Sequence, residues 1–143
     1  MVNFRMSSGI VGRLWTSSVA IGRQHGFDIQ VFGEKAGLKW RSEHPNQLIY
    51  SKVGNRTEII EKGENNLYDD ALRLSRVAIA HPEGFPLAVA NIYVDIAATI
   101  KGDERPNLPT ALDGLRSMAA VYSATESAKN NGKWTDARPL MFR

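Results

Sequence analysis

Apolar and polar residues alternate through the front half of the chain and then change period. Phe27, Ile29 and Val31 alternate with Asp28 and Gln30, a period of two that predicts a strand beginning after Gly26. Leu38-Lys39-Trp40-Arg41 alternates again, and Leu48 to Tyr50 and Thr57 to Ile60 follow, hinged at Val53-Gly54-Asn55. Between Ile10 and Ile21, Ile10, Leu14, Trp15, Val19 and Ile21 mix with Thr16, Ser17 and Ser18, a composition suited to the face of a strand pair. Phe4 through Gly9 reads as a strand and a turn. Gly33-Glu34-Lys35-Ala36-Gly37 is expected to be a turn whose glycines supply positive φ. Strands joined by turns this short must be antiparallel neighbours, because a parallel return needs a long crossover. The pattern therefore predicts an antiparallel meander.

The back half has helical spacing. Phe85, Ala88, Val89, Ile92, Ile96 and Ile100 repeat at three- and four-residue steps, with Asn91, Asp95 and Thr99 off that stripe. This predicts a helix over Ala88 to Ile100, with its apolar stripe inward and Gly102 just past its end. A second helix is predicted from Thr110 to Asn130, opened by Thr110 as N-cap with Asp113 three residues on, a variant of the capping box. Its broad apolar face carries Leu112, Leu115, Met118, Ala119, Val121 and Tyr122, and Asn130-Asn131-Gly132 ends it. Gly114 inside it costs about 1 kcal/mol relative to alanine and is expected to mark a close backbone approach to the first helix. Residues 62–80 predict only a short helix or a loop, because Leu67, Ala71 and Leu74 are spaced helically while Gly63 and Asn65-Asn66 interrupt the front.

Strands first and helices after give an α+β class: one antiparallel sheet with two main helices packed on one face. The other face is left open, with Trp15, Trp40 and Tyr50 as its candidates, and an apolar face of that kind calls for a partner. With 143 residues the chain has the size of one domain. The formal charge of +3 is spread without blocks of like sign, which argues against a nucleic-acid stripe. There are no cysteines, so disulfides and thiolate metal sites are excluded. No apolar run approaches membrane-spanning length, and the residues after Met1 lack the apolar centre of a signal peptide, so a cytoplasmic setting is expected.

Candidate chemistry is sparse. No G-x-G-x-x-G opens a helix after a strand and no G-x-x-x-x-G-K-[ST] loop occurs, so both phosphate-cradling devices are missing. His25 and His44 lie in polar turns, and none of the three histidines has a partner at metal-ligand spacing. Asp69-Asp70 are adjacent, so their side chains diverge and cannot form an acid–base pair. His81 stands just ahead of the first helix, where free N–H groups favour oxygen-rich ligands. It is the first candidate substrate contact, with helix capping or a bond to a loop carbonyl as the structural alternative. Glu83 is the second, although an acid in a first helical turn is expected from the helix dipole alone.

Three pieces in order, Phe32-Gly33-Glu34-Lys35-Ala36-Gly37-Leu38-Lys39-Trp40, His81-Pro82-Glu83-Gly84-Phe85 and Ser123 to Trp134, make the chain resemble the carboxy-terminal domain of Gfo/Idh/MocA oxidoreductases over about Phe4 to Trp134. That family uses NAD or NADP on sugars, inositols and related polyols. The resemblance implies a partial domain that starts inside the family's sheet, with the Rossmann domain and an acid and histidine used in catalysis preceding Met1. No cofactor is then expected on these residues alone. The family's catalytic lysine sits in a Glu-Lys-Pro motif of its nucleotide domain; here Glu34-Lys35 is followed by Ala36 in a strand-connecting turn, so that role is not carried to Lys35. The open sheet face commonly pairs subunits in the family, which implies a homo-oligomer. The expected function is the substrate and oligomerisation domain of a sugar or polyol dehydrogenase, inactive alone. The alternative is a free-standing, non-catalytic dimeric module that binds a small polyol or pairs with a separate nucleotide-binding chain.

Overall fold

Turn chemistry divides the front of the chain into strands. In the computed structural model, which describes residues 1–23, 25–64, 67–105 and 107–138, six strands precede three helices. β1 (Val2–Arg5) and β2 (Val11–Leu14) form a hairpin, and β3 (Asp28–Phe32), β4 (Ala36–Arg41), β5 (Gln47–Lys52) and β6 (Thr57–Glu61) form a four-stranded antiparallel meander in sequence order. α1 (Asp69–Leu74), α2 (Phe85–Ile100) and α3 (Ala111–Lys129) follow. The class is α+β, as the periodicity predicts. The strands fall into two sheets where one was expected, and the Ile10–Ile21 stretch supplies strand only over β2. No described helix is long and apolar enough to cross a membrane.

The chain makes two compact units, one from the described residues of Met1–Val19 and Pro106–Arg143, the other from Ala20–Arg105. The first contains the hairpin and α3. Phe4 lies directly over its cross-strand partner Gly12, where a Cβ would overlap the ring. The Arg5 guanidinium stands 5.7 Å from the centre of the Trp134 ring. Thr110 and Asp113 make the capping box in both directions, and Ser123, buried, donates its hydroxyl to the Asp136 carbonyl at 3.0 Å. Gly114 does not mark a close approach: an added Cβ would meet nothing within 4 Å.

The second unit is built on the meander. Residues directly opposite across antiparallel strands share a face, so the register Ile29↔Trp40↔Leu48↔Ile60 and Val31↔Leu38↔Tyr50 sets these seven apolar side chains on one side, while Ile49 and its partner Ile59 take the other. Trp40 packs edge-on against Phe27, with centroids 5.9 Å apart, and its indole N–H donates to the Pro45 carbonyl. Trp40 and Tyr50 thus belong to the apolar face; Trp15 follows β2 in the other unit and does not. Ile29, Val31 and Leu38 on this face remain exposed. Gly33 and Gly37 do not have positive φ, because Gly37 is already in β4 and the Gly33 N–H closes the turn on the Ala36 carbonyl; the left-handed glycine of the meander is Gly54.

The helix α2 corrects the stripe read from its sequence. Its covered side is Leu87, Asn91, Asp95 and Ala98, while Phe85 and Ile100 are each 81% exposed. Asp95, 8% exposed, accepts two bonds from the Arg73 guanidinium of α1, at 2.8 and 3.4 Å, and Arg105 Nε lies 3.3 Å away. Asn91 receives Arg76 Nε and donates to the Leu74 carbonyl at 2.8 Å. The polar residues between the apolar ones are what bind α1 and the 103–105 segment to this helix. Removing Asp95 leaves Arg73 and Arg105 facing each other. Asp95→Ala and Asp95→Asn should each lower unfolding free energy by about 2 kcal/mol, less than a fully buried pair because both arginines reach water. Urea denaturation followed by circular dichroism measures this, and a wild-type midpoint in either variant rules it out.

Candidate functional site

The end of the meander, the segment after β6 and the entry to α2 meet around one ion pair. Lys62 follows β6 directly and Glu83 stands two residues before α2. Their side chains, 13% and 10% exposed, are 2.8 Å apart. Glu83 Oε1 also accepts the backbone N–H groups of Arg76 and Val77, both at 2.8 Å. The Lys62 ammonium also donates to the carbonyls of Val77 at 2.8 Å and Ala78 at 3.2 Å. Asn46, just before β5, closes the ring: its side-chain oxygen accepts the Glu83 N–H at 3.2 Å and its backbone oxygen the Lys62 N–H at 2.8 Å. Burial opposes the charge on Glu83, and the Lys62 ammonium with the Val77 and Arg76 amides outweighs it, so the carboxyl sits below its usual value.

Two adjoining hollows open beside this pair, of about 380 and 410 Å³. Asn46, Gln47, Glu61 and Pro82 line both; Glu43, His44 and Glu83 line the first, Lys62, Ile79, Ala80 and His81 the second. The Gln47 amide donates to Glu61 Oε1 at 2.7 Å across β5 and β6. Ala80 has φ 66, a left-handed value that costs a non-glycine residue about 1–2 kcal/mol. The turn it makes is fixed by the His81 N–H on the Ala78 carbonyl and sets His81 on the wall of the second hollow.

The two candidate contacts therefore part company. His81 is exposed, with Nδ1 3.3 Å from the Ile79 carbonyl, and does not cap α2, whose N-cap is Gly84. Glu83 lies before the helix, not in its first turn, which contains no acid; it is held by three donors from its own neighbourhood. Lys35 stays in the β3–β4 turn, its carbonyl taking the Val53 N–H. Asp69 and Asp70 open α1, Asp70 pairing with Arg73. Asn65-Asn66 fall outside the described residues. Asn46, Gln47, Glu61 and Lys62 line the hollows and are candidates that the sequence reading missed: nothing in their spacing signals a site, and the β5–β6 register alone would have set Gln47 opposite Glu61.

Among the described residues, no group of three His, Asp or Glu side chains is placed to hold a metal ion. A dinucleotide is held by a glycine-rich turn between a parallel strand and a helix. Every described strand pair is antiparallel, so these residues do not fit that cofactor.

This architecture defines a class, an α+β domain built on antiparallel sheets. The description "Oxidoreductase family, C-terminal alpha/beta domain", GFO_IDH_MocA_C, matches residues 1–135, and the chain belongs to that family. An uncharacterized oxidoreductase of Bacillus subtilis, YfiI, is 29% identical over 140 residues, covering 90% of this chain and 35% of that protein. An oxidoreductase from Sinorhizobium meliloti is 35% identical with a TM-score of 0.85, over 94% of this chain and 39% of that one. An inositol dehydrogenase homologue from Azotobacter vinelandii, solved with NADH and myo-inositol, is 32% identical with a TM-score of 0.84, over 94% and 38%. The chain thus spans little more than a third of the length of these relatives.

Glu83 makes acid stability testable. A carboxyl whose folded pKa lies below its unfolded value of about 4.5 adds stability above that value and loses it as pH falls through the folded pKa. Glu83→Gln should therefore be less stable than wild type at neutral pH and converge on it as pH falls from about 4.5 through the lowered folded pKa. Thermal melts across pH 3–7 test this, and a constant difference over that range contradicts it.

Proposed function

We propose that this chain is the substrate-side and subunit-pairing domain of an NAD(P)-dependent oxidoreductase of sugars or polyols. The likeness to an inositol dehydrogenase homologue holding both NADH and myo-inositol supports the substrate class, because it runs through nearly the whole chain. The absence of a dinucleotide cradle among the described residues supports the division of labour: the nicotinamide is held elsewhere, and these residues meet the substrate, with His81 as a direct contact. With its Nδ1 on the Ile79 carbonyl, the imidazole keeps its other ring nitrogen for a hydroxyl that must be oriented before it loses hydride. The exposed apolar face around Ile29, Val31 and Leu38 supports pairing with a second copy through the sheet.

Three outcomes follow from this reading. An antibody against this domain should detect, in the source cells, a band well above the 15.8 kDa of the chain; a band at that size alone removes the oxidoreductase reading in favour of a free-standing module. Neither NAD nor NADP should raise the melting temperature of these residues by more than about one degree, since a ligand stabilises only what binds it. Sedimentation should show a dimer that Leu38→Lys converts to a folded monomer; a wild-type monomer sinks the pairing.

A further inference from the structure

We propose that the second hollow, at Gln47, Glu61 and His81, is where the hydroxyls of a neutral polyol are gripped, and that Lys62, Asn46 and Glu83 are positioning residues that shape it. This rests on the polyol reading above and adds the place and the charge selection.

The hollow of about 410 Å³ is in the range of small-ligand sites, roughly 300–1,000 Å³. Its polar groups suit hydroxyls. Gln47 gives one amide proton to Glu61 Oε1, which leaves its other proton, its carbonyl and Glu61 Oε2 without protein partners among the described residues. These offer one donor and two acceptors on neighbouring strands, and His81 adds its second ring nitrogen from the opposite segment. An anion is served badly. Lys62 is the cation on this wall, and its three ammonium protons already go to Glu83, Val77 and Ala78. A phosphate ester arriving here meets the Glu61 carboxylate and a lysine already neutralised.

The same bonds set the shape. Lys62 binds the carbonyls of Val77 and Ala78 immediately before strained Ala80, Glu83 binds the amides of Arg76 and Val77, and Asn46 ties both to the start of β5. A left-handed alanine persists only where its surroundings enforce it. The clamp thereby delivers His81 to the hollow without touching the ligand itself.

The test is titration of the 15N-labelled 143-residue chain with myo-inositol and, separately, with a myo-inositol monophosphate. Amide shifts with myo-inositol should gather on 44–47, 61–62 and 79–83, and the phosphate should bind about fivefold more weakly. Gln47→Leu and His81→Ala, which leave the clamp intact, should weaken myo-inositol about tenfold at an unchanged melting temperature. Glu83→Gln frees the Lys62 charge, so it should erase most of the preference against the phosphate, a ratio that a purely structural residue would not alter. Shifts centred elsewhere, unchanged affinity in Gln47→Leu, or a phosphate that binds as well as the polyol would overturn the proposal. So would a lack of response to myo-inositol at about 100 mM, far above the dissociation constant of a useful site. Each of these results leaves the domain reading standing, since that reading falls on the size of the cellular protein.

Discussion

The Lys62–Glu83 pair is the constraint on which the second unit turns. It joins the last strand of the meander, the loop after α1 and the entry to α2, and it does so with a single carboxylate oxygen serving three donors and a single ammonium serving three acceptors. A partly buried charge pair gains little from Coulomb attraction alone once desolvation is counted. Here the added backbone bonds satisfy the remaining protons and lone pairs, and four amides or carbonyls of an irregular segment find partners they would otherwise seek in water. The segment can then hold a left-handed alanine and still be well defined.

The meander was legible because its information is local. Period-two alternation and short glycine-marked turns fix both the strands and their antiparallel pairing, and the reading of β3 to β6 follows from residues a few positions apart. The Thr110–Asp113 capping box was legible for the same reason. The α2 stripe was not. Phe85, Ile92, Ile96 and Ile100 repeat as a core-facing stripe should, yet the covered side is Leu87, Asn91, Asp95 and Ala98. What sets that side is a carboxylate meeting arginines far away in sequence, and hydrophobic periodicity has no view of that partnership. The candidate site divides along the same line: His81 could be singled out by its place before a helix, whereas Asn46, Gln47, Glu61 and Lys62 acquire meaning only from strand register and tertiary bonds.

Many of the chain's large apolar side chains are uncovered. Ala98 is the buried hydrophobic residue among those described, and the buried polar ones are Asp95 and Ser123. Phe85, Ile92, Ile96 and Ile100 of α2, Met118, Val121 and Tyr122 of α3, and Ile29, Val31 and Leu38 of the meander are all exposed, while Trp40, Leu48, Tyr50 and Ile60 are half-buried. The polar bonds within each unit thus fix local geometry where buried apolar contacts are few.

The two-part composition of the first unit has a consequence for how the protein is made. Its hairpin leaves the ribosome well before its helix, and Arg5 cannot meet Trp134 until the stretch between them has been translated, a delay on the order of ten seconds at bacterial or eukaryotic elongation speeds. The meander and α2 lie between and are synthesised as one continuous stretch. They can therefore form while the hairpin still waits for its helix, so the second unit is poised to fold before the first is complete.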